Sequence, residues 1–85
     1  MNETRIMGQL TEILRDVLEA PDLVVTAQTS ATSVPAWDSM KHILILMAVQ
    51  DRFGIRLTTR EIDRLRNVGD LAAVITHHTD KPNPT

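Results

Sequence analysis

Cysteine is absent from the 85 residues, which excludes a disulfide framework and any thiolate metal site. Aromatic residues are nearly missing: one Trp, one Phe and no Tyr. A surface that stacks single-stranded bases needs several, so that class of nucleic-acid binder is excluded. Charge of either sign is in short supply as an excess. The chain has 9 basic and 11 acidic side chains, a net charge of −2 and a pI of 5.8, without the basic footprint of a DNA or RNA binder. The longest apolar run, residues 43–49, is far shorter than the roughly 20 residues of a membrane span. No charged-then-apolar leader follows Met1. The three histidines lack metal-ligand spacing to carboxylates, and His77-His78 reads as a solvated helix end, where positive charge suits the dipole. What remains is one small soluble domain, expected in the cytoplasm as a monomer, with little room for an internal active-site cavity.

What is present is helical patterning. Ile6, Leu10, Ile13, Leu14, Val17 and Leu18 recur at the 3.6-residue period of an amphipathic helix. The spacing predicts a helix over Glu3 to Glu19, stopped by Pro21. Residues 21–37 have no sustained period and are rich in Thr, Ser and Ala. A loop of this length in a compact domain is functional or disordered. Leu23, Val24, Val25, Val34 and Trp37 are expected to pin it, leaving Ala27 to Ser33 as the mobile middle. Asp38-Ser39 then precedes a helix expected over Ser39 to Phe53, closed by Gly54 in a left-handed cap. Thr58-Thr59-Arg60-Glu61 has the spacing of a capping box and opens a short helix through about Leu65, with Ile62 and Leu65 inward. Asn67 caps the last helix, whose apolar face is Leu71, Ala72, Val74 and Ile75.

The sum is an all-α chain, a small four-helix bundle of three main helices and one short one, with a long loop between the first two. A single domain is expected over 1–78, followed by a flexible tail over 79–85. With Met1 at one end and that polar tail at the other, a discrete protein is expected.

The chemistry concentrates at Ser39. A serine at a helix N-terminus is open to solvent, and the unpaired N–H groups there suit a phosphate. Either Asp38 or Ser39 can also serve simply as the cap. Past Ser39 the helix is apolar on too many sides. Ile45, Leu46, Val49 and Phe53 suffice for a core stripe. Met40, Ile43, Leu44 and Met47 form a second stripe, at i, i+3, i+4 and i+7. Either the bundle wraps the helix closely, or this stripe docks partners, a use to which Met and Leu are suited. His42 lies three residues after Ser39, so one helix face can hold both. A nucleophilic serine needs more: an orienting group, an oxyanion hole and a pocket. Gly-x-Ser-x-Gly is absent, and the expectation is that the chain is not an enzyme.

The order Trp37-Asp38-Ser39-Met40, apolar helix, Arg52-Phe53-Gly54-Ile55-Arg56-Leu57, Thr58-x-x-Glu61 and Asn67-Val68-Gly69-Asp70-Leu71 resembles the acyl carrier proteins from about Ile6 to Ile75. The resemblance implies 4′-phosphopantetheine attached covalently at Ser39 within an Asp38-Ser39 motif, and no metal held by the chain. A phosphopantetheinyl transferase would supply the Mg²⁺ and activate the serine. Acyl-loading and acyl-using enzymes of lipid, polyketide or related biosynthesis would be the further partners. It implies that the second helix is the recognition helix, with Met40, Ile43, Leu44 and Met47, and Arg56 beyond it, as docking residues. Met40 replaces the family's usual leucine, a nearly volume-conserving change.

Charge departs further from the resembled family. Carriers of bacterial fatty-acid synthesis are strongly acidic along this helix, whereas here Lys41, His42, Gln50 and Arg52 follow Ser39, and Arg56, Arg60, Arg64 and Arg66 come next. Charge complementarity sets partner choice and on-rate, so general fatty-acid synthesis is the less expected role. A helix-turn-helix DNA binder, resting on Arg60, Arg64 and Arg66, is weakened by the absence of a basic excess, and two other readings stand beside the acyl carrier. One is a noncovalent helical adaptor. The other is a free-standing aminoacyl carrier of a peptide-synthetase-like pathway, though the Gly-Gly-x-Ser pattern usual there is absent.

Overall fold

The structure, a computed structural model, describes residues 3–80. Four helices follow in order: α1 (Glu3–Val17), α2 (Ser39–Phe53), α3 (Thr59–Asp63) and α4 (Val68–Asp80). There is no strand among the described residues. Helix α1 packs against both α2 and α4. Its apolar stripe Ile6, Leu10, Ile13 and Leu14 is buried with Ile45, Leu46 and Val49 of α2 and Val68, Leu71, Ala72 and Ile75 of α4. At roughly 1.5–3 kcal/mol for each such side chain taken out of water, this one cluster dominates the stability. The short α3 has no buried residue, and Ile62 and Leu65 are only half-buried against the core.

The helix ends show how local chemistry sets the boundaries. Helix α1 stops at Val17, two residues before the expected end at Glu19. Glu19 takes a left-handed conformation with φ 53°. The Ala20 N–H then reaches the Arg15 carbonyl (2.9 Å) and the Glu19 N–H reaches that of Asp16 (3.3 Å). This Schellman closure satisfies carbonyls that the helix leaves open. Gly54, with φ 65°, closes α2 and donates its N–H to the Gln50 carbonyl. The Thr58–Glu61 capping box is present in both directions, and α3 ends at Asp63 rather than Leu65. Helix α4 runs through Asp80, so Thr79 and Asp80 extend the last helix beyond the expected boundary at 78. The rest of the expected tail, 81–85, lies outside the described residues.

The long loop differs from expectation in where it is anchored. Val34 and Trp37 are buried and Leu23 and Val25 pack on the core, but Val24 is 75% exposed and pins nothing. The Arg15 side chain holds the loop's start by donating from Nε to the Leu23 carbonyl (2.8 Å). The stretch expected to lack anchors is tied to α4. The Val68 N–H donates to the Thr29 carbonyl and the Gly69 N–H to that of Ala27, both at 2.8 Å. Asp70 N–H takes the Asn67 side chain (2.8 Å) and Leu71 N–H the Asn67 carbonyl (3.3 Å). All four donors of the first turn of α4 are therefore met, half of them by the loop. Thr29 is buried there, and its Oγ1 accepts from the Thr26 N–H at 2.9 Å. The approach is close at Gly69: a Cβ there would stand 3.0 Å from the Ala27 carbonyl oxygen, so the loop would have to give by a few tenths of an ångström.

Candidate functional site

The loop delivers the chain to α2 through a turn in which the Trp37 N–H reaches the Val34 carbonyl (3.0 Å). Asp38 then adopts an extended conformation and caps the helix, its carboxylate accepting from the Lys41 N–H at 2.9 Å. Ser39 is therefore the first helical residue and not the cap. Its side chain is exposed and its hydroxyl makes no hydrogen bond with any described residue. Capping by Asp38 leaves this hydroxyl unengaged while fixing the backbone that carries it.

Ser39 opens onto a groove lined by Ala31, Trp37, Asp38, His42 and Ile43. Behind it lies a small recess of about 60 Å³ among the long loop, α2, the connector between α3 and α4, and the first turn of α4. Ile45, Leu46, Leu65 and Leu71 form its apolar walls, with Arg66 and Asn67 at its edge. Ala31, Trp37 and His42 border both spaces and so stand between them. Trp37 Nε1–H donates to His42 Nδ1 at 3.2 Å, and the two rings stack with centroids 6.0 Å apart. The indole nitrogen only donates, so His42 carries its proton on Nε2. Trp37 thus holds the one imidazole near the serine, and Asp38, the nearest carboxylate in sequence, is spent on the helix cap. No orienting group for a serine–histidine pair is assembled among the described residues.

The second stripe faces away from the core. Met40 is 65% exposed, Ile43 56%, Leu44 42% and Met47 60%. The bundle does not wrap this side of α2, and the four residues run as one apolar band from beside Ser39. Arg56 is exposed in the connector after α2, away from the groove's lining, and makes no ion pair among the described residues. Gln50 fixes that connector, accepting the Leu57 N–H on its side-chain oxygen at 2.9 Å.

At the other end of the bundle His78 is not merely solvated. Its Nε2 lies 2.9 Å from Glu61 Oε2, joining the end of α4 to the capping box of α3. The Thr58 backbone N–H holds the Glu61 carboxyl below the usual carboxylate range, with His78 adding to the effect against desolvation. The residues that the sequence did not disclose are the Trp37–His42 pair and the Thr29 anchor. Spacings of five residues and of nearly forty carry no periodic signal.

A family profile described as a phosphopantetheine attachment site matches residues 8–75. This chain belongs to the acyl carrier proteins. "Acyl carrier protein MbtL" of Mycobacterium sp. is 32% identical over 74 residues, covering 87% of this chain and 83% of that one. The acyl carrier protein of Acidothermus cellulolyticus is 28% identical over 79 residues, 93% and 94% of the two chains. The solution structure of a holo acyl carrier protein from Geobacter metallireducens superposes with a TM-score of 0.79 at 30% identity, covering 91% of this chain and 93% of that one. The carrier therefore bears 4′-phosphopantetheine, whose thiol holds acyl groups as thioesters. An exposed, uncommitted hydroxyl on the first turn of a helix, with a groove beside it, fits the attachment of such an arm. No helix among the described residues is long and apolar enough to cross a membrane.

Proposed function

We propose that Ser39 is the residue that carries the phosphopantetheine arm, and that the exposed band Met40, Ile43, Leu44 and Met47, with Arg56, presents the loaded carrier to its enzymes. The observation that supports it is the position of Ser39: first in α2, exposed, unbonded, and preceded by the residue that caps the helix. In loading, the Ser39 hydroxyl oxygen attacks the phosphorus of coenzyme A that bears pantetheine. The Ser–O–P bond forms, the pyrophosphate bond breaks, and adenosine 3′,5′-bisphosphate leaves while the serine proton passes to the transferase. The chain contributes the acceptor atom and its placement. Asp38 fixes the turn, and the helix N-terminus favours the phosphate that results. Catalysis belongs to the partner enzymes, in the cytoplasm, and the carrier domain runs through the end of α4.

Incubating the apo chain with coenzyme A and a broad-specificity phosphopantetheinyl transferase tests this directly. Peptide mapping should place one modification, on Ser39. Modification at another residue, or none with several transferases, defeats the assignment.

A further inference from the structure

The exposed band on α2 does not end in neutral surface. Arg66 lines the inner recess together with His42 and Leu46, and a second depression joins Arg66 to Arg64. Arg60 lies one turn before Arg64, and Lys41 follows Met40 on α2 itself. Arg60, Arg64 and Arg66 are exposed, and neither they nor Lys41 forms an ion pair with any described residue. The nearby acids keep their charge but direct carboxylate oxygens to partners other than these cations: Asp38 caps α2, Glu61 is held by Thr58 and His78, and the Asp70 carboxylate accepts the Arg66 backbone N–H. Only Asp63 stands uncommitted among these arginines. The opposite edge has the other sign. Glu12, Asp16 and Asp51 line a groove between α1 and α2, where Arg52 is paired with Glu12 at 3.9 Å.

Resting on the docking role proposed for α2, we infer that the enzymes this carrier serves receive Met40, Ile43 and Met47 in an apolar recess bordered by carboxylates on the α3 side. Burial of the band supplies affinity. The unpaired cations select a partner of opposite sign and reject one with a basic border. The acidic groove at the far edge of α2 fixes orientation, because a partner turned around brings its carboxylates against Glu12, Asp16 and Asp51. A protein is favoured over an anionic membrane because the band is narrow and the chain as a whole is acidic, with a net charge of −2.

Two synthetic amphipathic helical peptides with the same leucine face, one flanked by glutamates and one by lysines, test the inference by backbone NMR titration. The glutamate peptide is expected to bind about tenfold more tightly at low salt, shifting amides of Met40, Ile43, Met47 and Arg66. The preference should fade as salt shortens the screening length toward about 3 Å at 1 M. The double variant Arg60→Glu/Arg64→Glu should lose or reverse it, and the milder Arg60→Gln/Arg64→Gln should halve its logarithm, each with an unchanged helical spectrum. Equal or tighter binding of the lysine peptide, a preference that survives charge reversal, or shifts confined to α1 would overturn the inference. So would association with phosphatidylglycerol vesicles in the absence of any peptide preference. Loading of the unaltered chain at Ser39 reads the carrier assignment separately.

Discussion

Leu44 and Ile45 are adjacent in sequence and alike in chemistry, yet the structure gives them opposite fates. Ile45 is fully buried, whereas Leu44 is 42% exposed and does not pack on the core. Truncating Leu44 to Ala removes roughly three methylene equivalents at about 0.8 kcal/mol each when fully buried. Somewhat more than half of the side chain is covered, which gives at most about 1.4 kcal/mol with no cavity left behind. Ile45→Ala loses the whole transfer free energy and opens a cavity, for about 2–5 kcal/mol. A domain of this size has roughly 4–13 kcal/mol in total, so the second change threatens folding and the first does not. Urea unfolding followed by helical dichroism separates them. With a slope near 1 kcal/mol/M, Leu44→Ala should move the midpoint by about 1 M and Ile45→Ala by 2 M or more. Acyl transfer by a cognate enzyme should fall for Leu44→Ala while Ser39 still accepts the arm. Equal stability losses for the two variants, with normal transfer by the folded Leu44→Ala protein, would show that the second stripe is core and refute the docking assignment.

Ser39→Ala should abolish loading by coenzyme A and transferase yet leave the unfolding midpoint nearly unchanged, because the cap is Asp38; Asp38→Ala should cost about 0.5–2 kcal/mol in the same urea titration. Gly69→Ala should lower the midpoint, since its Cβ meets the Ala27 carbonyl at 3.0 Å, whereas Gly8→Ala, in open space on α1, should raise stability by about 0.5–1 kcal/mol; the reverse order would contradict the loop anchor. The lowered Glu61 carboxyl makes the α3 capping box sensitive to acid. Its contribution is fully present above the ordinary carboxylate range and is lost as pH falls through the depressed folded value. The difference in melting temperature between the wild type and Glu61→Gln should therefore shrink on acidification, and a difference constant with pH would exclude this linkage.

The bundle was legible because its signals are local and redundant. The stripe of α1, the Asp38-Ser39 start and Gly54 stop of α2, and the Thr58–Glu61 box each name an element within a few residues, and each appears as expected. Ser39 was legible as a candidate for the same reason: helix N-termini are marked by side chains that compete for the first N–H groups. What sequence could mark only ambiguously was which of two neighbours caps. The structure assigns Asp38, and that choice is what leaves the serine hydroxyl unbonded. Val24 shows the opposite failure. An apolar residue in an aperiodic loop has no register to say which way it points, and it points outward.

Sequence alone determined an all-α chain, its helix starts, the Gly54 stop of α2 and an exposed serine at the start of that helix, because backbone capping and the 3.6-residue period act over a turn or two. Tertiary structure alone decided which of the two apolar stripes of α2 is core, that Trp37 and His42 stand between the Ser39 groove and the inner recess, and that the loop's middle closes the first turn of α4. Those outcomes depend on contacts between residues distant in the chain. An exposed and a buried leucine are the same letter until another helix does or does not cover them.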